Sequence, residues 1–512
     1  MKHKPNLMLQ GTASSVGKSV LTAAFCRIFK EDGYRVAPFK SQNMSLNSYI
    51  TEEGLEMGRA QVFQAEAAGV KPVAAMNPIL LKPSGDKTSQ VILGGKVWKN
   101  MTAMEYHQVK TSLKETVKDY YRSVEDQVDI MVLEGAGSPA EINLQENDLV
   151  NMGMADLVDA PVLLIGDIDR GGVFASLVGT LMLLPEEQRK RVKGLLINKF
   201  RGDEAILKPG LDQLEALTGV PVLGVVPHGE FDIEEEDGTA QRLNASPVTQ
   251  NTLRIAVIRL PRISNFTDFH WLEKVPGVSV QYVTRREEVG VPDLLIIPGT
   301  KNTLEDLAVL RERGIDQAIL KAHESGSMIC GVCGGFQMLG TMLHDPHRVE
   351  SQRGSMEGLG LLASETVFNR EKTTIQAEGH LCESPLFPGE RVSDQRIKGY
   401  EIHMGQTELH HETTPFSRIK GENENQLRCD GGVSADGSVW GTYLHGIFDN
   451  RGFLLALLRR LSGNPDAYKE LETMPDFQAY KEAQYDALAL TVRRSVNLPA
   501  IYELMGLEGG RK

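Results

Sequence analysis

The chain has 512 residues, 41% of them hydrophobic and 24% charged, with a formal net charge of −13 at pH 7. That length supports two or three domains with ample cores, and the acidic balance excludes the broad basic face that nucleic acid binding requires. Five cysteines are too few, and odd in number, for a disulfide framework, and neither a signal peptide nor an apolar run of bilayer length stands out, so a cytoplasmic protein without a membrane partner is expected.

The apolar run Leu7-Met8-Leu9-Gln10 predicts a buried strand. It leads into Gly11-Thr12-Ala13-Ser14-Ser15-Val16-Gly17-Lys18-Ser19, after which residues 20–29 carry helical periodicity. Strand, glycine-containing loop, Gly-Lys-Ser and helix form the P-loop arrangement. Backbone N–H groups from Gly11, Thr12 and Gly17 onward make an anion nest, Lys18 reaches the terminal phosphates, and the Ser19 hydroxyl suits a Mg²⁺ shell. The loop is one residue longer than G-x-x-x-x-G-K-[ST], and in this it resembles the variant loop of dethiobiotin synthetase.

Residues 35–39 predict the next strand, which ends in Lys40-Ser41-Gln42-Asn43-Met44-Ser45-Leu46-Asn47-Ser48. Ligands of parallel α/β sheets gather at the carboxyl ends of strands, where this polar string falls. Lys40 would neutralise a phosphate or a substrate carboxylate; alone it reads as a solvated turn lysine, but it adjoins a run of amide side chains. The strand at 128–133 delivers Glu134, a carboxylate placed to hold Mg²⁺ near a γ-phosphate rather than a merely solvated loop acid. Residues 161–166 lead to Asp167 and Asp169, further candidates for metal or substrate. Residues 194–197 end in Asn198, where relatives of this fold place an asparagine beside the nucleotide base. A strand over 220–227 closes a doubly wound parallel sheet, giving a first domain at 1–230. Residues 231–251, with the acidic run Glu234-Glu235-Glu236-Asp237 and the turn material Asn244-Ala245-Ser246-Pro247, predict a solvated linker.

An α/β pattern restarts at Leu253, so a second domain is expected over 252–512. Asp293-Leu294-Leu295-Ile296-Ile297 predicts a strand that ends in Pro298-Gly299-Thr300-Lys301, whose N–H groups are oxyanion-hole candidates. Met328-Ile329-Cys330 then runs into Gly331-Val332-Cys333-Gly334-Gly335-Phe336. A cysteine on a sharp strand-to-helix turn is a nucleophile elbow: flanking glycines allow the strained backbone, and the helix N-terminus favours a thiolate and an oxyanion. An apolar core cysteine is the plain alternative, and Cys330 with Cys333 spells C-x-x-C, but no second pair completes a metal site. Cys333 needs a base. His403, in Gly399-Tyr400-Glu401-Ile402-His403-Met404-Gly405, and His445, in Trp440-Gly441-Thr442-Tyr443-Leu444-His445, both fall in or at the end of strand-like runs, and spacing does not choose between them. His380 has no clear strand before it. Residues 453–458 and 480–496 predict helices covering the second sheet.

The second half resembles the class I glutamine amidotransferases, and the whole chain resembles the cobyric acid synthase family. The strings that carry the likeness are 11–19, 40–48, 167–174, 198–203, 331–340, 400–405 and 441–448, in the family's order. The resemblance implies two α/β domains, ATP and Mg²⁺ as cofactors, glutamine and a corrinoid carboxylate as small-molecule substrates, and amide formation through an acyl phosphate. It makes Cys333 the nucleophile and His445 its base. It assigns Gly11, Thr12, Gly17, Lys18, Ser19, Lys40 and Asn198 to the nucleotide and Ser19, Glu134 and Asp167 to the metal. A corrinoid cleft is expected near Gln42, Asn43, Ser45 and Asp169. The substrate implied is adenosylcobyrinic acid a,c-diamide, amidated at its b, d, e and g carboxylates. In many class I glutaminases a glutamate two residues after the histidine orients it; here Ile447 stands there, so either a dyad suffices or another acid substitutes. Cobyrinic acid a,c-diamide synthase, and a P-loop switch fused to an inactive glutaminase, are the alternatives.

Overall fold

A computed structural model describes residues 3–85, 88–229, 231–233, 252–388, 392, 395–422 and 424–511. The predicted linker lies outside the described residues except for 231–233. In the first half a six-stranded, all-parallel sheet runs in the order Val222–Pro227, Val192–Phe200, Val162–Asp167, Asn6–Gly11, Ile130–Glu134, Val36–Phe39. Its strands are continuous apolar runs because both faces are covered by helices, and two clusters of buried side chains lie against them. The P-loop leaves the central strand Asn6–Gly11, so the phosphate site falls at the carboxyl edge of the sheet.

A four-stranded sheet is inserted between the second and third of these strands in chain order. It is built from Gln42–Met44, Ile79–Pro83, Thr88–Leu93 and Lys96–Thr102. A hairpin, Ser48–Ile50 with Glu56–Gly58, precedes the helix Arg59–Ala68.

In the second half Val278–Val283, Leu253–Ile258, Leu294–Ile297, Met328–Val332 and Val439–Thr442 form a parallel sheet, which Gly432–Ser434 and Thr413–Thr414 extend antiparallel. Beside it stands a hairpin of two long strands, Ser364–Leu381 and Arg396–Leu409. His380 lies within the first of them, contrary to the expectation that no strand precedes it. The polar, gapped alternation of residues 364–381 hid that strand from a reading based on apolar runs.

The helix Arg451–Ser462 packs into the core of the second half, as expected. The helix Phe477–Ser495 does so only through its first turn, where Phe477 and Tyr480 pack on Trp271. Its Tyr485, Leu488, Ala489 and Val492 join Leu21, Phe25 and Phe29 of the P-loop helix Lys18–Glu31 in one buried cluster. Arg27 ion-pairs with Glu482 and Asp486 on that helix, at 2.8 and 2.5 Å. The final helix, Leu498–Leu504, sets Tyr502 against Phe29, and Asn497 N–H bonds to Leu223 O on the outer strand of the first sheet at 2.7 Å. The chain's end therefore covers the first sheet. Amphipathic periodicity gives a helix a buried face but not the surface that buries it.

Candidate active site

Two polar centres emerge, one at the P-loop and one at Cys333. At the first, Gly17 has φ +99° and caps the helix Lys18–Glu31. A Cβ there would sit 2.2 Å from Asn198 Nδ2, and that amide donates to Val16 O at 2.8 Å. Asn198 thus holds the P-loop backbone at Val16 and Gly17. Lys18 Nζ donates to Ala13 O and Gly137 O at 2.9 and 3.0 Å, across the nest's mouth. Gly11 and Thr12 begin the loop, where Thr12 N–H bonds to Ile165 O.

Glu134 is the hub. Its Oε1 accepts from Ser19 Oγ at 2.8 Å and from Lys40 Nζ at 2.9 Å, and its Oε2 accepts from Gln64 at 2.6 Å and Gln61 at 3.4 Å. Burial opposes its ionisation, but Lys40 and these donors outweigh it and hold the carboxyl below its usual range. Ser19 and Glu134 meet as predicted. Lys40 lies on that carboxylate, buried, with no need of a solvated turn. Asp167 stands apart: Lys199 Nζ lies 2.8 Å from its Oδ2 and donates also to Ser15 O. Among the described residues no group of three or more His, Cys, Asp or Glu is arranged to hold a metal.

The predicted substrate residues divide. Gln42 accepts from Tyr106 OH at 2.7 Å, and Asp169 pairs with the exposed Arg201. Asn43 and Ser45 are buried; Asn43 donates to Gln61 and accepts from Met44 N–H, and Ser45 donates to Asn47 O. These two brace the loop, while Met44 between them points outward. Alternation along a short strand explains the split.

At the second centre Cys333 follows the strand Met328–Val332 with φ +51° and ψ −111°, and the helix Gly334–Leu339 begins at the next residue. Such a backbone is strained for a residue with a side chain. Its own N–H bonds to Thr442 O at 2.8 Å. The elbow can be this sharp because a Cβ at Gly335 would lie 1.8 Å from Ile297 O. The five cysteines are all unpaired, and burial pushes the Cys330 thiol far up.

The structure distinguishes the two histidines. His445 faces Cys333 across a cavity of about 40 Å³ that both line, and contact with the thiol is one of the influences on its imidazole. His403 also borders this cavity, but it stacks on Tyr443 at 3.8 Å and its Nδ1 donates to Gly405 O at 2.7 Å. The acid absent from position 447 comes from elsewhere: Asp268, on the short turn Phe266–Phe269, accepts from His445 Nδ1 at 2.7 Å through Oδ2 and from Gly446 N–H at 3.1 Å through Oδ1. Burial alone would lower the imidazole; Asp268 first and Cys333 second reverse that and raise it to about 10. Cys333, His445 and Asp268 thus stand in the order thiol, imidazole, carboxylate, brought together from two strand ends and one short turn.

Asp268 lies 65 residues before the elbow, in Ser264-Asn265-Phe266-Thr267-Asp268-Phe269. Its one sequence signal is an acid between two phenylalanines, both of which are buried. The neighbouring Asn265 ties this turn to the first half. Its Oδ1 accepts from Ser48 N–H at 3.1 Å and its Nδ2 donates to Tyr400 OH at 3.2 Å, while Tyr400 stacks on His445 at 5.2 Å.

Comparisons with known proteins match both halves of the chain. Residues 7–237 match the family model described as the CobQ/CobB/MinD/ParA nucleotide binding domain, and residues 254–453 match the CobB/CobQ-like glutamine amidotransferase domain. This is a nucleotide-binding domain joined to a glutamine amidotransferase domain, the plan of an amide-forming ligase. Curated relatives named cobyric acid synthase include those of Alkaliphilus metalliredigens (53% identical, covering 97% of this chain and 99% of that one), Thermoanaerobacter sp. (54%, 98% and 98%) and Limosilactobacillus reuteri (53%, 98% and 98%). The chain belongs to the cobyric acid synthase family.

Proposed function

We propose that this protein uses glutamine and ATP to amidate the b, d, e and g carboxylates of adenosylcobyrinic acid a,c-diamide. The observation that carries the reading is the Cys333–His445–Asp268 series in one molecule with a P-loop whose serine meets a buried glutamate. His445 takes the Cys333 proton, and the sulfur attacks the glutamine side-chain amide. Asp268, a positioning residue, fixes the imidazole with Nδ1–H toward itself and Nε2 toward the sulfur, and steadies the imidazolium. The proton returns to the departing nitrogen, and water then releases glutamate from the thioester.

At the P-loop a substrate carboxylate takes the γ-phosphoryl group of ATP, and ammonia displaces phosphate from the acyl phosphate. Lys18 neutralises developing charge and the loop's N–H groups orient the phosphates. Ser19 and Glu134 supply the hard oxygens Mg²⁺ prefers, and bound there it would offset phosphate charge. The corrinoid is a large, partly apolar disc. The exposed Met44, beside Gln42, and the exposed Met104, on the helix whose Tyr106 donates to Gln42, favour a cleft next to this strand. Asp268 also argues against an inactive glutaminase, which needs no oriented base.

The test is glutamate release by the purified protein with glutamine and Mg·ATP, with and without cobyrinic acid a,c-diamide. Corrinoid-stimulated release that disappears in Cys333→Ala, with amidation restored by ammonium chloride, is expected. Release indifferent to corrinoid would overturn the substrate, and no release at all would overturn Cys333.

A further inference from the structure

The Cys333 cavity does not belong to the second half alone. Its wall includes Lys82, from the strand Ile79–Pro83 of the first half, beside Lys301 and Lys372 of the second. Lys82 Nζ pairs with Glu56 Oε1 at 2.7 Å and donates to Ser48 Oγ at 2.9 Å. Lys372 Nζ, on the long hairpin, pairs with Glu56 Oε2 at 2.6 Å. One buried carboxylate thus bridges two buried ammonium groups from opposite halves, directly behind the cavity that holds the thiol. Glu56 opens the strand Glu56–Gly58, and the helix that follows carries Gln61 and Gln64 onto Glu134. Two of the three charges thus line the cavity where glutamine's nitrogen is freed, and the third is joined through one short strand and its helix to the side chains on Glu134.

We infer that the Lys82–Glu56–Lys372 triad is the closure of the passage through which ammonia leaves the Cys333 cavity for the nucleotide-binding half. This rests on the functional reading above and adds the route and its gate. Two physical arguments support it. As a permanent seal, a buried ion triad is a poor choice, because well-packed apolar side chains stabilise as well or better. Two lysines on flexible four-carbon stems can instead swing aside while their charges stay paired or solvated. Second, the cavity wall sets three lysines, Lys82, Lys301 and Lys372, against one carboxylate, Glu350, so the balance of charge repels an ammonium ion and favours the neutral, nucleophilic form. Burial already lowers Lys372 to about 8, with the neighbouring Lys82 and Lys301 adding to the effect and Glu56 opposing it.

The experiment measures glutamate released and amide formed in the same reaction, for wild type, Glu56→Gln, Lys372→Met and Lys372→Arg, with glutamine or ammonium chloride as nitrogen source. Wild type is expected to release about one glutamate per amide. Glu56→Gln and Lys372→Met should raise that ratio at least about threefold, while ammonium-driven amidation stays within about twofold of wild type. Lys372→Arg, which keeps the charge, should return the ratio toward one. A ratio that stays at one in both disrupting variants would overturn the gate. So would equal losses with glutamine and with ammonium, which mark a folding or synthetase defect. A wild type that forms no amide from either source would overturn the functional reading itself, a result distinct from any change in the ratio.

Discussion

Asp268→Asn tests the acid that stands where position 447 offers none. Gly446 N–H donates to Oδ1 and His445 Nδ1 to Oδ2, at 3.1 and 2.7 Å. In the variant the amide oxygen keeps Gly446, because an NH₂ group cannot accept that bond. The NH₂ then points at His445 Nδ1 and makes it an acceptor, so the ring proton moves to Nε2 and faces Cys333. The ring is then in the wrong tautomer to take the thiol proton. The imidazole stands at about 10, against an ordinary value of 6.5, which corresponds to a preference for the imidazolium of about 5 kcal/mol at 1.36 kcal/mol per pH unit. Asp268 is the larger of the two influences that outweigh burial, so loss of the acid costs at least about 3–4 kcal/mol, or 10²–10³-fold in rate, with the tautomer error adding up to another tenfold. The assay is glutamate release under saturating glutamine, with ammonium-driven amidation as the internal control. A fall smaller than about tenfold, or an equal fall in the control, would refute this reasoning.

Further outcomes follow from the same geometry. His445 has a folded value raised from 6.5 to about 10, so its ion pair with Asp268 stabilises the fold fully below pH 6.5 and loses that contribution as pH rises toward 10. The thermal-midpoint gap between wild type and Asp268→Asn should accordingly shrink over this range, and a constant gap would contradict the pairing. Glu134→Gln leaves Lys40 buried without its counter-charge, which should cost about 3 kcal/mol of stability in denaturant unfolding and abolish ATP-dependent amidation. Gly335→Ala forces a Cβ against Ile297 O, and the collision should lower unfolding free energy by about 1–3 kcal/mol and reduce alkylation of Cys333 by a glutamine-analogue electrophile. Ending the chain at residue 475 strips the P-loop helix of its cover, so nucleotide binding should fail before alkylation of Cys333 does; the reverse order would contradict the packing.

Legibility of the sequence tracked locality. The P-loop and the cysteine elbow are contiguous, each made of residues that touch one another along the chain, and both could be read directly. Glu134 was legible because strand ends are where parallel sheets gather ligands. Asp268 was not, because its partner lies 177 residues away and nothing local marks the pairing. The choice between His403 and His445 likewise depends on which ring turns toward the thiol. The inward turn of Asn43 and Ser45 follows from strand alternation, which residue type alone does not reveal. The small inserted sheet escaped because its strands are short and mix polar with apolar residues.

The last two helices give the chain an unusual order of completion. The P-loop helix is among the first segments made, yet the side chains that cover it, from Tyr485 to Tyr502, are among the last. The roughly 250 residues between Pro227 and Phe477 take on the order of 10–50 s to synthesise, and throughout that interval Leu21, Phe25 and Phe29 lack the cover of the last two helices. The half of the molecule that binds nucleotide thus cannot mature until the half that releases ammonia has been made. A nascent or prematurely terminated chain would hold a glutaminase fold beside an unfinished ATP site, and the growing polypeptide itself enforces the order in which the two become competent.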